Sequence, residues 1–133
     1  MSARDQTYAL MQHLGARGIS LSFDEVNTLR RAQITLHRWA EQECGDSNDY
    51  ASFSIERDEQ TGIPYRCIYP NEGKMHKYRI ADKEAGALRR VKAVTEAHGL
   101  SFYHQGDPRG CALYISAEPI KDNDYTRGVP CCA

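Results

Sequence analysis

Along the chain the hydrophobic positions change period, from helical to alternating and back, and those changes divide it into elements. Residues 5–15 put Leu10, Met11 and Leu14 on one side with Tyr8 at its edge, and Gly15 and Gly18 end this short helix. Ser22 with Glu25 three residues later makes a capping box for a longer helix, from about Phe23 to Cys44. Val26, Leu29, Leu36, Ala40 and Cys44 form its apolar stripe, flanked by Ala32 and Trp39, with Arg31, Arg38 and Gln42 opposite. From Tyr50 the period becomes two. Ala51, Phe53 and Ile55 alternate with Ser52, Ser54 and Glu56; Tyr65, Cys67 and Tyr69 with Arg66 and Ile68; His76, Tyr78 and Ile80 with Lys77 and Arg79. Turns at Glu59–Gly62 and Asn71–Lys74 join these three strands into an antiparallel meander.

Asp82 caps a further helix over residues 83–98, closed by Gly99, with Ala87, Leu88, Val91 and Val94 inward and Arg89, Arg90, Lys92 and Glu96 outward. Gly86 is a weak point inside it. Leu100–Gln105 and Cys111–Ser116 are two more strands, and Asp107-Pro108-Arg109-Gly110 fits a type I turn with a glycine bulge. The pattern predicts an α+β fold, a two-layer sandwich in which a mostly antiparallel sheet of about five strands carries helices on one face. It reads as a single domain over 1–133, with an N-terminal helical arm over 1–19, an α+β core over 20–116 and an irregular tail over 117–133.

Period-two alternation also predicts what each sheet face carries. Phe53, Ile55, Tyr65, Cys67, Tyr78, Ile80, Phe102, Leu113 and Ile115 are expected under the helices. The other face then takes Ser52, Ser54, Arg66, Ile68, Lys77, Arg79, Ser101, Tyr103, Gln105 and Tyr114. Cations interleaved with tyrosines on an open sheet suit single-stranded nucleic acid, with rings stacking on bases and guanidinium groups meeting phosphates. The same set also describes an ordinary solvated face of good β formers.

Composition narrows the field without choosing. Seventeen basic against eighteen acidic side chains exclude a histone-like protein. No segment is strongly polarised either: residues 1–49 hold five basic and seven acidic groups, and residues 50–120 hold ten and nine. Five cysteines at irregular spacing, Cys44, Cys67, Cys111, Cys131 and Cys132, favour a reducing compartment, with the Cys131-Cys132 pair expected to be exposed in the tail. No apolar run approaches the ~18–20 residues of a membrane span and the N-terminus has no apolar signal region, so a cytoplasmic protein without membrane contact is expected.

Candidate chemistry is sparse. In His104-Gln105-Gly106-Asp107-Pro108-Arg109-Gly110 the turn accounts for Asp107, Pro108 and Gly110, which leaves Arg109 to grip a phosphate or carboxylate beside His104 or Gln105. His37, Glu41 and Cys44 share a helix face but lack a fourth zinc ligand, and Cys44 equally ends the apolar stripe. Glu56, Asp58 and Glu59 cluster at a strand end without the further residues of a Mg²⁺ nuclease. Arg30, Arg31 and Arg38 on one helix, and Arg89, Arg90 and Lys92 on the other, read as mixed solvated faces beside Glu25, Glu41 and Glu96. No catalytic residue, metal or cofactor is assigned. The binding residues expected are Arg66, Lys77, Arg79, Tyr103, His104, Gln105, Arg109 and Tyr114.

The stretch Leu36-His37-Arg38-Trp39-Ala40-Glu41 through Cys44-Gly45-Asp46, together with Tyr103-His104-Gln105-Gly106-Asp107-Pro108-Arg109-Gly110-Cys111-Ala112-Leu113-Tyr114-Ile115, resembles small uncharacterised accessory proteins of bacteriophages and prophages. The likeness covers most of residues 20–130. It implies a mobile-element accessory protein in the cytoplasm of a bacterial host and carries over no functional residue. Two functions are therefore expected: a non-enzymatic binder of single-stranded nucleic acid, or an inhibitor that binds a host anti-phage defence protein. A metal-dependent nuclease or hydrolase is the third, and a homodimer is the other partner considered.

Overall fold

The computed structural model describes residues 2–44, 50–70, 76–80, 82–107, 110–118 and 128–131. Helix α1 (Ala3–Ala16) begins at Ser2, whose hydroxyl accepts from the Asp5 N–H at 3.1 Å. After it, Gly18 adopts φ of 83°, a left-handed conformation closed to most side chains, and so turns Ile19 and Leu21 into the core. Helix α2 (Phe23–Cys44) starts with the expected capping box: the Ser22 N–H donates to Glu25 Oε1 at 3.0 Å and the Glu25 N–H to Ser22 Oγ at 3.2 Å. Its inner stripe, Val26, Leu29, Ala32 and Leu36, is fully buried.

The strands are β1 (Tyr50–Arg57), β2 (Pro64–Pro70) and β3 (His76–Arg79), then, after α3 (Asp82–Ala97), β4 (Ser101–Asp107), β5 (Gly110–Ser116) and the two-residue β6 (Val129–Pro130). They form one antiparallel sheet in the order β3-β2-β1-β4-β5-β6. This is the expected α+β architecture, extended by β6 in a segment read from sequence as an irregular tail. The β1–β2 turn closes where Asp58 Oδ1 accepts from the Gln60 and Thr61 N–H groups, with Gly62 at φ of 69°.

Cross-strand partners share a face, so the register fixes which side chains meet the helices. One row runs Tyr78, Arg66, Ile55, His104, Leu113 and a second pairs Phe102 with Ile115 and Ile115 with Val129. Ile55, Ile68, Ile80, Leu113, Ile115 and Val129 join Leu10, Leu14, the α2 stripe and Ala87, Leu88, Val91 and Val94 of α3 in a single core. The helices thus cover one face, as expected. The phase of β2 does not follow the sequence reading: Arg66 and Ile68 lie on the helix face, and Tyr65 and Cys67 on the other. The cause is a carboxylate waiting beneath the helix layer, described below.

Two further expectations change. Cys131 is buried, 1% exposed, because its N–H donates to the Leu113 carbonyl at 2.6 Å and carries the tail on beyond β6 into the core; Cys132 lies outside the described residues. Ser54, assigned to an open face, is 2% exposed and shares that face with Cys67, which is fully buried, so the middle of this face is withdrawn from water. At the far end of the helical layer Glu25 also bonds His98, its Oε2 lying 2.5 Å from His98 Nε2. One carboxylate thereby caps α2 and holds the end of α3, and the Ser22 N–H first, then His98, lower its pKa.

Gly86 lies inside α3 with ordinary backbone angles, and a methyl group there would first meet the mobile end of Arg90 at 3.5 Å. Gly86→Ala should therefore stabilise the fold by about 0.5–1 kcal/mol through reduced backbone entropy in the unfolded chain. Urea unfolding checks this, and a midpoint lowered by the substitution would show that the helix needs that space.

Candidate functional site

The residues expected to bind separate into two places, one on each side of the sheet. Beneath the helices, Arg66 on β2 meets Glu84 in the first turn of α3, Nη2 to Oε1 at 2.6 Å, with both side chains fully buried. His104 on β4 is also fully buried. It flanks Ile55 on one side as Arg66 does on the other, since both are register partners of that residue. Desolvation pushes the His104 pKa down to about 3, assisted by the positive charge of Arg66 and by His37 of α2. The imidazole is therefore neutral at physiological pH.

This cluster lies inside the fold: Arg66, Glu84 and His104 are all fully buried. Arg66 and His104 are accordingly corrected from surface binding residues to interior ones. The reason is energetic: a guanidinium withdrawn this completely from water costs least beside a carboxylate, and Glu84 supplies one. Sequence reading did not single out Glu84, which by position is an acid in the first turn of α3. Its burial follows from the same face as Ala87, Leu88 and Val91, and that spacing was the available signal.

The opposite face keeps the rest. Tyr103 and Tyr114 are direct cross-strand partners on β4 and β5, both half-buried. On the same face, toward the β3 edge of the sheet, Tyr65 pairs with Glu56 on β1 and with Arg79 on β3, and Arg79 is exposed. One step along the β1–β4 ladder brings Glu56 level with Tyr103, so Arg79, Tyr65, Glu56, Tyr103 and Tyr114 form a single row. Tyr65 Oη donates to Glu56 Oε2 at 3.2 Å, and the Cys67 thiol lies 3.6 Å from the same oxygen. Burial first, and then the Glu56 charge, hold the Tyr65 phenol up at about 12, so it stays a donor at any physiological pH. Tyr65 belongs to this row although sequence reading placed it under the helices, whereas Glu56 stands on the face where its alternation with Ser52 and Ser54 puts it.

Lys77 and Gln105 occupy register positions on this face, opposite Cys67 and Ser54, but their side chains lie outside the described residues. Arg109 lies outside them altogether, between Asp107 and Gly110, which pair with each other. The side chains of Glu41 and Cys44 are likewise not described, and among the described residues no three His, Cys, Asp or Glu side chains are arranged to hold a metal ion. Of the carboxylate cluster, Glu56 is engaged with Tyr65, and Asp58 caps its turn. Among the described residues no helix is long and apolar enough to cross a membrane.

Two expectations follow from the buried cluster. Glu84→Gln should cost about 3–5 kcal/mol by leaving the Arg66 charge uncompensated, whereas Arg66→Met combined with Glu84→Leu should recover most of that loss. A loss below about 1 kcal/mol in chemical unfolding would contradict the central role given to the pair. His104 adds an acid limb. Folding depresses its pKa from 6.5, so the unfolded chain takes up a proton that the folded one refuses. Its contribution is complete above about pH 6.5 and declines as the pH falls toward 3. An NMR titration should show no protonation of the His104 ring down to pH 5, and His104→Gln should flatten the decline in stability below pH 6.5.

Compared with protein-family models, with curated proteins and with solved structures, the chain matches none.

Proposed function

We propose that this chain is a small non-enzymatic binding protein that takes single-stranded nucleic acid on the sheet face away from the helices. The carrying observation is the directly opposed Tyr103 and Tyr114 pair, half-exposed on adjacent strands. Paired rings on a sheet are a sequence-tolerant stacking platform, because every base has a flat π face. Arg79, exposed at the end of the same row, supplies a cation for the backbone. The loss of Arg66 to the core makes this a stacking surface more than an electrostatic one, which fits a chain of net charge −1. The setting proposed is the cytoplasm of a bacterial host, where a phage or prophage accessory protein meets both nucleic acid and defence proteins.

One observation favours a second reading. Glu56 sits inside the row and would repel a phosphate chain passing over it. A mixed row of tyrosines, an acid and an arginine is the surface that protein partners use, with aromatic and arginine anchors. That makes inhibition of a host defence protein the alternative role for the same face.

Anisotropy of labelled oligo-dT and oligo-U, measured from low to physiological salt, separates the two. Tyr103→Ala and Tyr114→Ala should each weaken binding roughly tenfold, and Arg79→Ala should lower the salt slope by about one. Absence of binding at low salt, or indifference to both tyrosine substitutions, would overturn the nucleic-acid reading. A stoichiometric host protein released by Tyr103→Ala would establish the other.

A further inference from the structure

A cluster of cations lies in the helical layer, away from the sheet face. A groove of about 770 Å³ runs between α1 and the first turns of α2, lined chiefly by Arg4, Tyr8, Phe23, Asn27, Arg30 and Arg31. That size falls within the ~300–1,000 Å³ of small-ligand sites. Three guanidinium groups line it and no carboxylate does. As a rule the other described arginines have a carboxylate, a ring face or water: Arg66 has Glu84, Arg57 lies over the Phe102 ring, and Arg17, Arg38, Arg79, Arg89 and Arg90 are exposed.

Arg30 departs from that rule. It is 8% exposed, yet the acceptors of its hydrogen bonds are neutral: Nε donates to Thr7 Oγ1 at 3.0 Å and Nη2 to Asn27 Oδ1 at 2.9 Å. Two neutral oxygens fix the fork without cancelling its charge, so the buried cation is held rigidly and remains available to an anion. The aromatic wall is ordered as well. Arg4 lies over the Tyr8 ring, 5.6 Å from its centroid, and Tyr8 packs against Phe23 with centroids 4.9 Å apart. Tyr8 is still 43% exposed, an unusual amount of ring to leave in water beside a groove.

We infer that this groove binds a nucleotide, its phosphate on Arg4, Arg30 and Arg31 and its base against Tyr8. Charge selects the phosphate: a fork anchored by neutral partners, with two exposed guanidinium groups beside it, matches a dianion's several acceptor oxygens. The exposed ring selects a flat group attached to that phosphate over a bare anion. Asp5 and Asp24 stand on the same helices, outside the lining. A free nucleotide and the phosphorylated end of a strand present the same chemistry to this groove. The site does not depend on the sheet-face reading.

Titration calorimetry of the full chain with adenosine monophosphate, inorganic phosphate and a 5′-phosphorylated oligo-dT tests it. Saturable binding of adenosine monophosphate is expected, weakened about tenfold or more by Arg4→Ala combined with Arg31→Ala. Both side chains are exposed, so the fold should survive their loss. Tyr8→Leu should weaken the nucleotide while leaving phosphate unchanged. Tighter binding of the oligonucleotide through the same arginines assigns the site to strand ends; equal or weaker binding assigns it to the free nucleotide. The inference is overturned if neither nucleotide probe saturates, if phosphate binds as tightly as the nucleotide, or if the arginine pair has no effect. Tyr103→Ala should leave adenosine monophosphate binding intact, so failure of the sheet-face reading and failure of this one give different results.

Discussion

A buried ion pair between β2 and α3 disciplines the whole sheet. Arg66 leaves β2 toward the helices and finds Glu84 in the first turn of α3, with water excluded from both. Either charge alone would be severely penalised in that place, so the pair forbids the commonest error of a strand, a one-residue slip. Such a slip would turn Ile68 out of the core and strand Glu84 beneath the helices. Because β2 lies between β3 and β1, fixing its phase fixes the ladder on either side. The pair also sets the state of its neighbour, since the Arg66 charge opposes protonation of His104.

The outer surface follows from that interior choice. Once Arg66 faces inward, Tyr65 and Cys67 must face outward, and Tyr65 falls into line with Glu56, Tyr103 and Tyr114. The tyrosine row is therefore a consequence of core electrostatics as much as of its own composition. With the opposite phase, Tyr65 would have been spent on packing and an arginine would have stood among the remaining rings. Stacking would then have been weaker and phosphate attraction stronger on the same strands.

Features with a local cause were legible in the sequence. The Ser22–Glu25 box, the inner stripe of α2 as far as Leu36 (the side chains of Ala40 and Cys44 lie outside the described residues), that of α3, and the alternation of β1, β4 and β5 each depend on residues a few positions apart, and each stands in the structure. The phase of β2 was not legible, because Tyr65, Cys67 and Tyr69 alternate as convincingly as Arg66 and Ile68. Deciding between them needs Glu84, eighteen residues on and in a different element. Arg30 was hidden for a similar reason: its neutral partner Thr7 lies 23 residues earlier, so on α2 alone it looks like one more solvated cation. Cys131 shows the same limit in the tail, where a two-residue strand too short to have a period carries it into the core. In each case the deciding contact joins distant parts of the chain.

Near-neutrality of the whole chain says little about what a ligand meets. At physiological salt a charge is felt over about 8 Å, so a bound group responds to the side chains around it and hardly to the total. Arg66 and Glu84 cancel within the core and contribute almost nothing outside. What remains is uneven. The tyrosine row mixes Arg79 with Glu56 and is close to neutral, whereas the α1–α2 groove collects three guanidinium groups with no carboxylate in its lining. On the readings we propose, a face for stacking without strong charge and a groove that sets three guanidinium groups beside Tyr8 and Phe23 are complementary in kind. The first suits a ligand that is long and weakly held at each step, the second a ligand that is small and anchored at one phosphate. Both arise on a chain whose charges almost balance, because folding sorts cations from anions in space where the sequence interleaves them.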